Sequence, residues 1–457
     1  MNAVLKRIAL VITALLAVAA DAAPQEGMGA RQQRGRAIEG MIQAAGDESL
    51  RRFADTHLAP EYRAGFEGES LMEHLQRIRA AARGFDGILA QPLEDGATRL
   101  TFVFDGREVS VDFRTQADPP HLIVALDLGQ ARATGPGGGD DAPPYTWDTL
   151  GERLDEEAAR GFSGTVLVVR DGAVVLHRGY GFADRAAQIP NGTETMFAIG
   201  SVPIDFTKAA ILKLEDTGKL RTSDPVTTFL ADVPADKRAM TIDHLMTGRS
   251  GLPDFFHIPG VDADPDLSWI DRDTALERIL GQELLFAPGT DEAHSHAAWV
   301  LLAALVEIVS GETYGGYLKR NFFDPAGMTR TGLHEDMARF PDSDFAVGYD
   351  AQSFGDVNTP RHWGRTSWLV MGSGGMASTP GDLHRWLTAI RDGRTLSPRA
   401  AGKYWTGGVL AGGDDRGFFC LYNEGPDNLM ILCSNAHTRR GDLASAAGRR
   451  LVGLVMK

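Results

Sequence analysis

The chain has 457 residues, 43% hydrophobic and 23% charged, a balance that excludes a disordered chain, a collagen and a multi-span membrane protein. Lys and Arg number 46 against 61 Asp and Glu, a net charge of -15, so the basic surface that drives nucleic-acid binding is missing. Two cysteines cannot make a disulfide scaffold, and no Cys-x-x-Cys pair offers a zinc ribbon or redox motif.

Residues 1–23 read as a secretory signal. Lys6 and Arg7 precede an apolar run from Ile8 to Ala20, and Ala20-Asp21-Ala22 supplies small residues for cleavage. The run is shorter than the ~18 to 20 residues of a bilayer span, although an uncleaved anchor is the competing reading. No cysteine follows it to take a lipid. The expected location is the periplasm or the cell exterior, with no membrane span in the mature chain.

Residues 24–130 predict a small α+β domain. Apolar residues recur at helical spacing in Ile38, Met41 and Ile42, in Leu50, Phe53 and Leu58, and in Leu71, Leu75, Ile78 and Ala81. From Gly87 to Leu128 the period becomes two, with Asp105-Gly106 as a turn signal, which predicts a four-stranded antiparallel sheet. A cystatin-like or nuclear-transport-factor-like cone is one such arrangement, and no function is legible in it. Gly and Pro crowd 131–145, where a linker is predicted. Residues 146–457 form one larger unit. Strands at Gly164 to Val169 and Val174 to His177 precede a mainly helical middle, and further strands precede a last helix. This predicts an α+β fold whose sheet is built from both ends of the unit.

Phe197-Ala198-Ile199-Gly200-Ser201 leads into an apolar-periodic helix through Phe206, Ala210 and Leu214. Ser201 is therefore expected at a helix N-terminus, where free N–H groups favour a developing anion, although a plain N-cap would look the same. In order along the chain come Gly179-Tyr180-Gly181-Phe182-Ala183-Asp184, Ile199-Gly200-Ser201-Val202, Asp216-Thr217-Gly218-Lys219-Leu220, Ser250-Gly251-Leu252-Pro253, Pro288-Gly289-Thr290, Asp324-Pro325-Ala326-Gly327-Met328 and Gly372-Ser373-Gly374-Gly375-Met376. Together they resemble the serine β-lactamase and penicillin-binding superfamily, and within it the class C-like group with its esterases and D-aminopeptidases.

The resemblance implies a Ser-x-x-Lys nucleophile motif, a Tyr-x-Asn motif and a Lys-Thr-Gly or His-x-Gly strand, and this sequence departs from all three. Ile204 stands where the lysine should be, and Lys208 lies roughly 10 Å along the helix axis from Ser201. His294-Ser295-His296 occupies the second motif and Ala411-Gly412-Gly413 the third; the usual histidine before Ser250-Gly251 is Gly248. An oxyanion N–H from the Gly413 strand, at Asp414, is expected to survive.

Three readings follow for a pocket centred on Ser201, His294, His296, Gly413 and Asp414. The protein is a pseudoenzyme that retains a ligand pocket, because Ser201 without a base is a weak nucleophile. Alternatively it is a Ser-His esterase or amidase with His294 as base and Asp291 or Glu292 as its orienter. In the third, His294 and His296 bind a metal with Asp291 or Glu292; the other two require no cofactor. His296, Gly413 and Asp414 are assigned to substrate binding. The lost basic residues argue against β-lactam hydrolysis, and the expected ligand is a small ester, amide or peptide-like molecule. Finally, a two-residue turn at Pro426-Asp427 would set Cys420 opposite Cys433, as a cross-strand disulfide or as two buried thiols. Neither state is expected to bear on catalysis.

Overall fold

The computed structural model describes residues 34–35, 37–43, 46–66, 70–83, 87–93, 97–104, 107–117, 120–129, 144–258, 261–262, 268–349, 358–406, 409–425, 427–437 and 443–456. The signal-like segment and nearly all of the linker lie outside them. The chain divides into two compact units, Met1–Ala133 with His257–Ala263, and Thr134–Phe256 with Asp264–Lys457.

In the first unit, helices α1 (Asp47–His57), α2 (Pro60–Ala64) and α3 (Leu71–Ala82) precede strands β1 (Gly87–Pro92), β2 (Thr98–Phe104), β3 (Arg107–Thr115) and β4 (Ile123–Leu128). The strands pair antiparallel in the order β1-β2-β3-β4, as the alternation predicts. Ser70 caps α3 reciprocally with Glu73, satisfying two orphan N–H groups. The helices bury Leu50, Phe53, Leu75 and Ile78 against Leu100, Phe102, Val111 and Phe113 of the sheet.

The second unit is built on a five-stranded antiparallel sheet. Helix α4 (Leu150–Ala159) leads into β5 (Gly164–Arg170) and β6 (Ala173–Tyr180). The middle of the chain supplies the short strand β7 (Phe197–Ala198), helix α5 (Pro203–Asp216), helix α6 (His296–Ser310), the short strand β8 (Met376–Ser378), and helices α7 (Pro380–Arg391) and α8 (Pro398–Trp405). Strands β9 (Val409–Asp415), β10 (Phe418–Glu424) and β11 (Leu429–Ser434) then return to the sheet before helix α9 (Leu443–Val455). The strand order is β9-β10-β11-β5-β6, so the sheet joins both ends of the unit, as expected.

Alternation along the central strands divides the core into two layers. Val166, Val168, Met430 and Leu432 pack against Leu154 of α4 and Leu451 of α9. Leu167, Val169, Ile431, Cys420 and Cys433 face the opposite layer, which contains α5 and α6. Helix α6 is buried from Ala297 to Val306, the profile of a core helix. Among the described residues no single helix is long and apolar enough to cross a membrane.

Candidate active site

Ser201 sits in the turn between β7 and α5. The Ile199 amide donates to Met376 O of β8, Gly200 turns with φ +52°, and the chain enters α5 through Val202 as N-cap and Pro203 as first helical residue. Ser201 thus precedes the helix by two residues instead of opening it, and Pro203 takes a position where an N–H would be orphaned anyway. On its far side lies β9. A Cβ placed on Gly413 would fall 1.9 Å from the Ser201 amide nitrogen, so only glycine lets this strand run so close. Among the described residues no backbone carbonyl accepts from the Ser201 amide.

Among the described residues no lysine is hydrogen-bonded to Ser201. Ile204 packs against the core. Lys208 donates to Tyr404 O at 2.9 Å and Lys213 to Thr395 O at 2.6 Å. Lys237, Lys319 and Lys403 pair with Asp236, Asp324 and Glu215. Asp205, one residue after Ile204, is buried and accepts from the hydroxyls of Tyr404 and Tyr422; burial pushes its carboxyl above the ordinary range, against the pull of those two hydrogen bonds.

The partner of Ser201 is His296. Its Nε2 lies 3.1 Å from Ser201 Oγ, and its Nδ1 lies 2.7 Å from Asp254 Oδ1. The same Oδ1 accepts the His296 backbone N–H at 2.9 Å, and the Ala297 N–H donates to Asp254 O at 2.9 Å. Asp254 therefore satisfies the first turn of α6 as well as the imidazole, with the positive end of the helix dipole on its carboxylate. Ser295 completes the junction: its Oγ caps Ala298 N at 3.1 Å and donates to Pro253 O at 2.8 Å. Burial alone would raise the Asp254 carboxyl, but the facing His296, its hydrogen bonds and His294 outweigh that and hold it below the usual carboxylate range. An ionised Asp254 requires N–H at Nδ1 of a neutral His296, leaving the Nε2 lone pair toward Ser201.

Two rings fix the His296 plane. Phe255 stacks on its face at 4.5 Å and 12°, and His294 meets it edge-on at 4.7 Å and 89°. His294 touches solvent but is crowded by protein, and this crowding, then His296, lower its pKa; Asp254 opposes them.

The sequence-predicted residues thus divide. Ser201, His296 and the Gly413 strand converge, with His296 at the serine where His294 was expected. The carboxylate that meets the His296 ring is that of Asp254, not Asp291 or Glu292; Asp291 Oδ1 instead accepts the Glu292 N–H at 2.9 Å. Asp254 directly follows Ser250-Gly251-Leu252-Pro253, and no spacing rule tied it to the second motif. The one available signal was the histidine at the asparagine position of Tyr-x-Asn. Side chains offering ligand atoms within 4.8 Å of one another are Asp254, His294 and His296, so a metal here would take Asp254 as third ligand. It would have to draw on groups that already bind each other and Ser201.

Comparison with known proteins places this geometry. The sequence model of the Beta-lactamase family matches residues 148–418. The chain is 34% identical over 248 residues to the putative penicillin-binding protein PbpX of Bacillus subtilis (strain 168), covering 54% of this chain and 60% of that protein. It is 27% identical over 298 residues to penicillin-binding protein 4* of the same organism, covering 63% and 64%. It therefore spans somewhat under two thirds of the length of these relatives. Among solved structures, the penicillin-binding protein from Bacillus halodurans superposes with a TM-score of 0.56 at 25% identity, over 66% of this chain and 98% of that one. With the family's sheet, helices and serine turn all in place, the chain belongs to the Beta-lactamase family.

Proposed function

We propose that this protein is an active serine hydrolase in which a Ser201–His296–Asp254 triad replaces the family's lysine- and tyrosine-assisted serine. The carrying observation is the unbroken chain from Ser201 Oγ through both His296 nitrogens to Asp254. It supports turnover over the pseudoenzyme reading, which rested on a serine without a base.

The roles follow from the geometry. Ser201 Oγ attacks an acyl carbonyl while His296 Nε2 takes its proton; Asp254 holds the tautomer and stabilises the imidazolium. The oxyanion forms beside the Ser201 amide and the adjacent strand, where the Asp414 N–H is the second donor. His296 then protonates the departing alkoxide or amine, leaving an acyl-Ser201 ester. Water, deprotonated by His296, cleaves that ester and restores the serine. With Ala411 in place of the basic residue, the third motif offers no side-chain cation for a substrate carboxylate. The substrate class is a small ester, amide or peptide-like acyl compound that does not depend on such a carboxylate. The apolar and small residues of the first 23 positions support export to a periplasm or the exterior.

A fluorophosphonate probe tests the reading. Labelling of the wild type between about pH 7 and 9, where an ordinary imidazole is neutral, and its loss in Ser201→Ala and His296→Ala, are expected. No labelling across that range overturns it. The metal reading, favoured by the Asp254, His294 and His296 cluster, predicts stoichiometric metal in the purified protein and a melting temperature lowered by a chelator.

A further inference from the structure

Cys420 on β10 and Cys433 on β11 stand directly opposite each other in the register, fully buried, with their sulfurs in contact. They face the layer that holds α5 and α6. On its other side, Cys420 is the register partner of Gly413 on β9, the residue whose backbone runs against the Ser201 amide. One line across the sheet thus runs from Cys433 through Cys420 and Gly413 to the nucleophile. Strand β9 is also the edge of the sheet, held on one side by β10 alone.

We infer that Cys420 and Cys433 are a modification site: a cross-strand disulfide that braces β10, and through it the edge strand that completes the oxyanion pocket. Formation breaks both S–H bonds and makes one S–S bond. The two electrons and two protons pass to a thiol-disulfide oxidant such as oxidised glutathione, which leaves as two thiols. Both sulfurs are fully buried, out of reach of a dissolved oxidant or reductant, and burial, and after it the neighbouring sulfur, pushes the Cys433 thiol well above its ordinary range. The bridge therefore forms while the sheet is still assembling, or under denaturant, and resists reductant once packed. The structural brace stands by itself; its effect on the oxyanion pocket rests on the proposed role of Ser201.

The test refolds the full chain in a glutathione redox buffer and counts thiols in denaturant. Expected are no reactive thiols before reduction, two after it, and an intact mass lower by two hydrogens. Two reactive thiols in the refolded protein overturn the inference. The effect on the pocket is read by fluorophosphonate labelling of wild type and Cys420→Ala/Cys433→Ala, each with and without reduction during refolding. Reduced wild type should label more slowly than oxidised by a factor of about 3 to 10, well short of the ~100 that loss of an oxyanion donor costs. The double variant should be indifferent to reductant. Equal labelling of oxidised and reduced wild type overturns the link to the pocket. If neither form labels, the Ser201 reading fails while the thiol count and a reductant-dependent melting temperature still judge the bridge.

Discussion

His296 makes two side-chain bonds, and removing its partners singly separates their contributions. Ser201→Ala and His296→Ala should each lower kcat/KM toward an activated ester such as p-nitrophenyl acetate by about 10³ or more, and Asp254→Asn by about 10² to 10⁴, because the asparagine amide would drive the wrong tautomer. His294→Ala should retain activity within roughly tenfold, since it only buttresses the ring. A His294 variant as inactive as His296→Ala would return the base to His294. His334 offers a separate test away from the site. It is 1% exposed, neither ring nitrogen has a hydrogen-bond partner among the described residues, and burial, then Arg416, lowers its pKa to about 3. Because the unfolded chain binds this proton below about pH 6.5 and the folded one does not, stability falls as pH drops from there, by up to about 1.4 kcal/mol per pH unit. His334→Leu should melt less steeply with acid than the wild type between pH 6.5 and 4; parallel curves would remove His334 as a source of acid sensitivity.

At the level of elements, the meeting of β9 with the serine turn is the tightest constraint. Gly413→Ala places a methyl on the Ser201 amide, so β9 or the turn must move. We expect labelling to fall by about 10² or more while far-UV circular dichroism stays unchanged, the signature of a displaced oxyanion pocket in an intact fold. The elements themselves were largely legible. Alternation marked β2 and β3 of the first unit, whereas β5 and β11 read as continuous apolar runs buried on both faces, and Cys420 pairs with Cys433 as expected, the Gly425 N–H donating to Asn428 O. The site was legible only in part. Ser201 and Gly413 stand in motifs whose glycines serve backbone geometry, which a sequence displays. The pairing of His296 with Asp254 depends on where a loop meets the N-terminus of α6. That is a tertiary fact: residues 294 and 296 straddle the cap Ser295, and only the direction of the first helical turn decides which imidazole reaches the serine.

For the second unit as a whole, the first and last helices lie on the same face of the sheet and are tied by an ion pair between Glu157 of α4 and Arg450 of α9, reinforced by Arg160. Both partners are almost entirely removed from water, so removing one strands the other's charge. Glu157→Ala should therefore destabilise the unit by about 3 kcal/mol or more, read as an earlier urea midpoint with an unchanged slope. A midpoint matching the wild type would mean that Arg450 finds another acceptor.

The central position of β11 has a consequence for biosynthesis. The hairpin of β5 and β6 is among the first parts of the unit to leave the ribosome, yet its inner neighbour is among the last. Until that strand emerges, the bonding edge of β5 is unmet, and the nascent polypeptide has no way to finish its sheet. Closure of this sheet is therefore a long-range event that joins strands far apart along the chain.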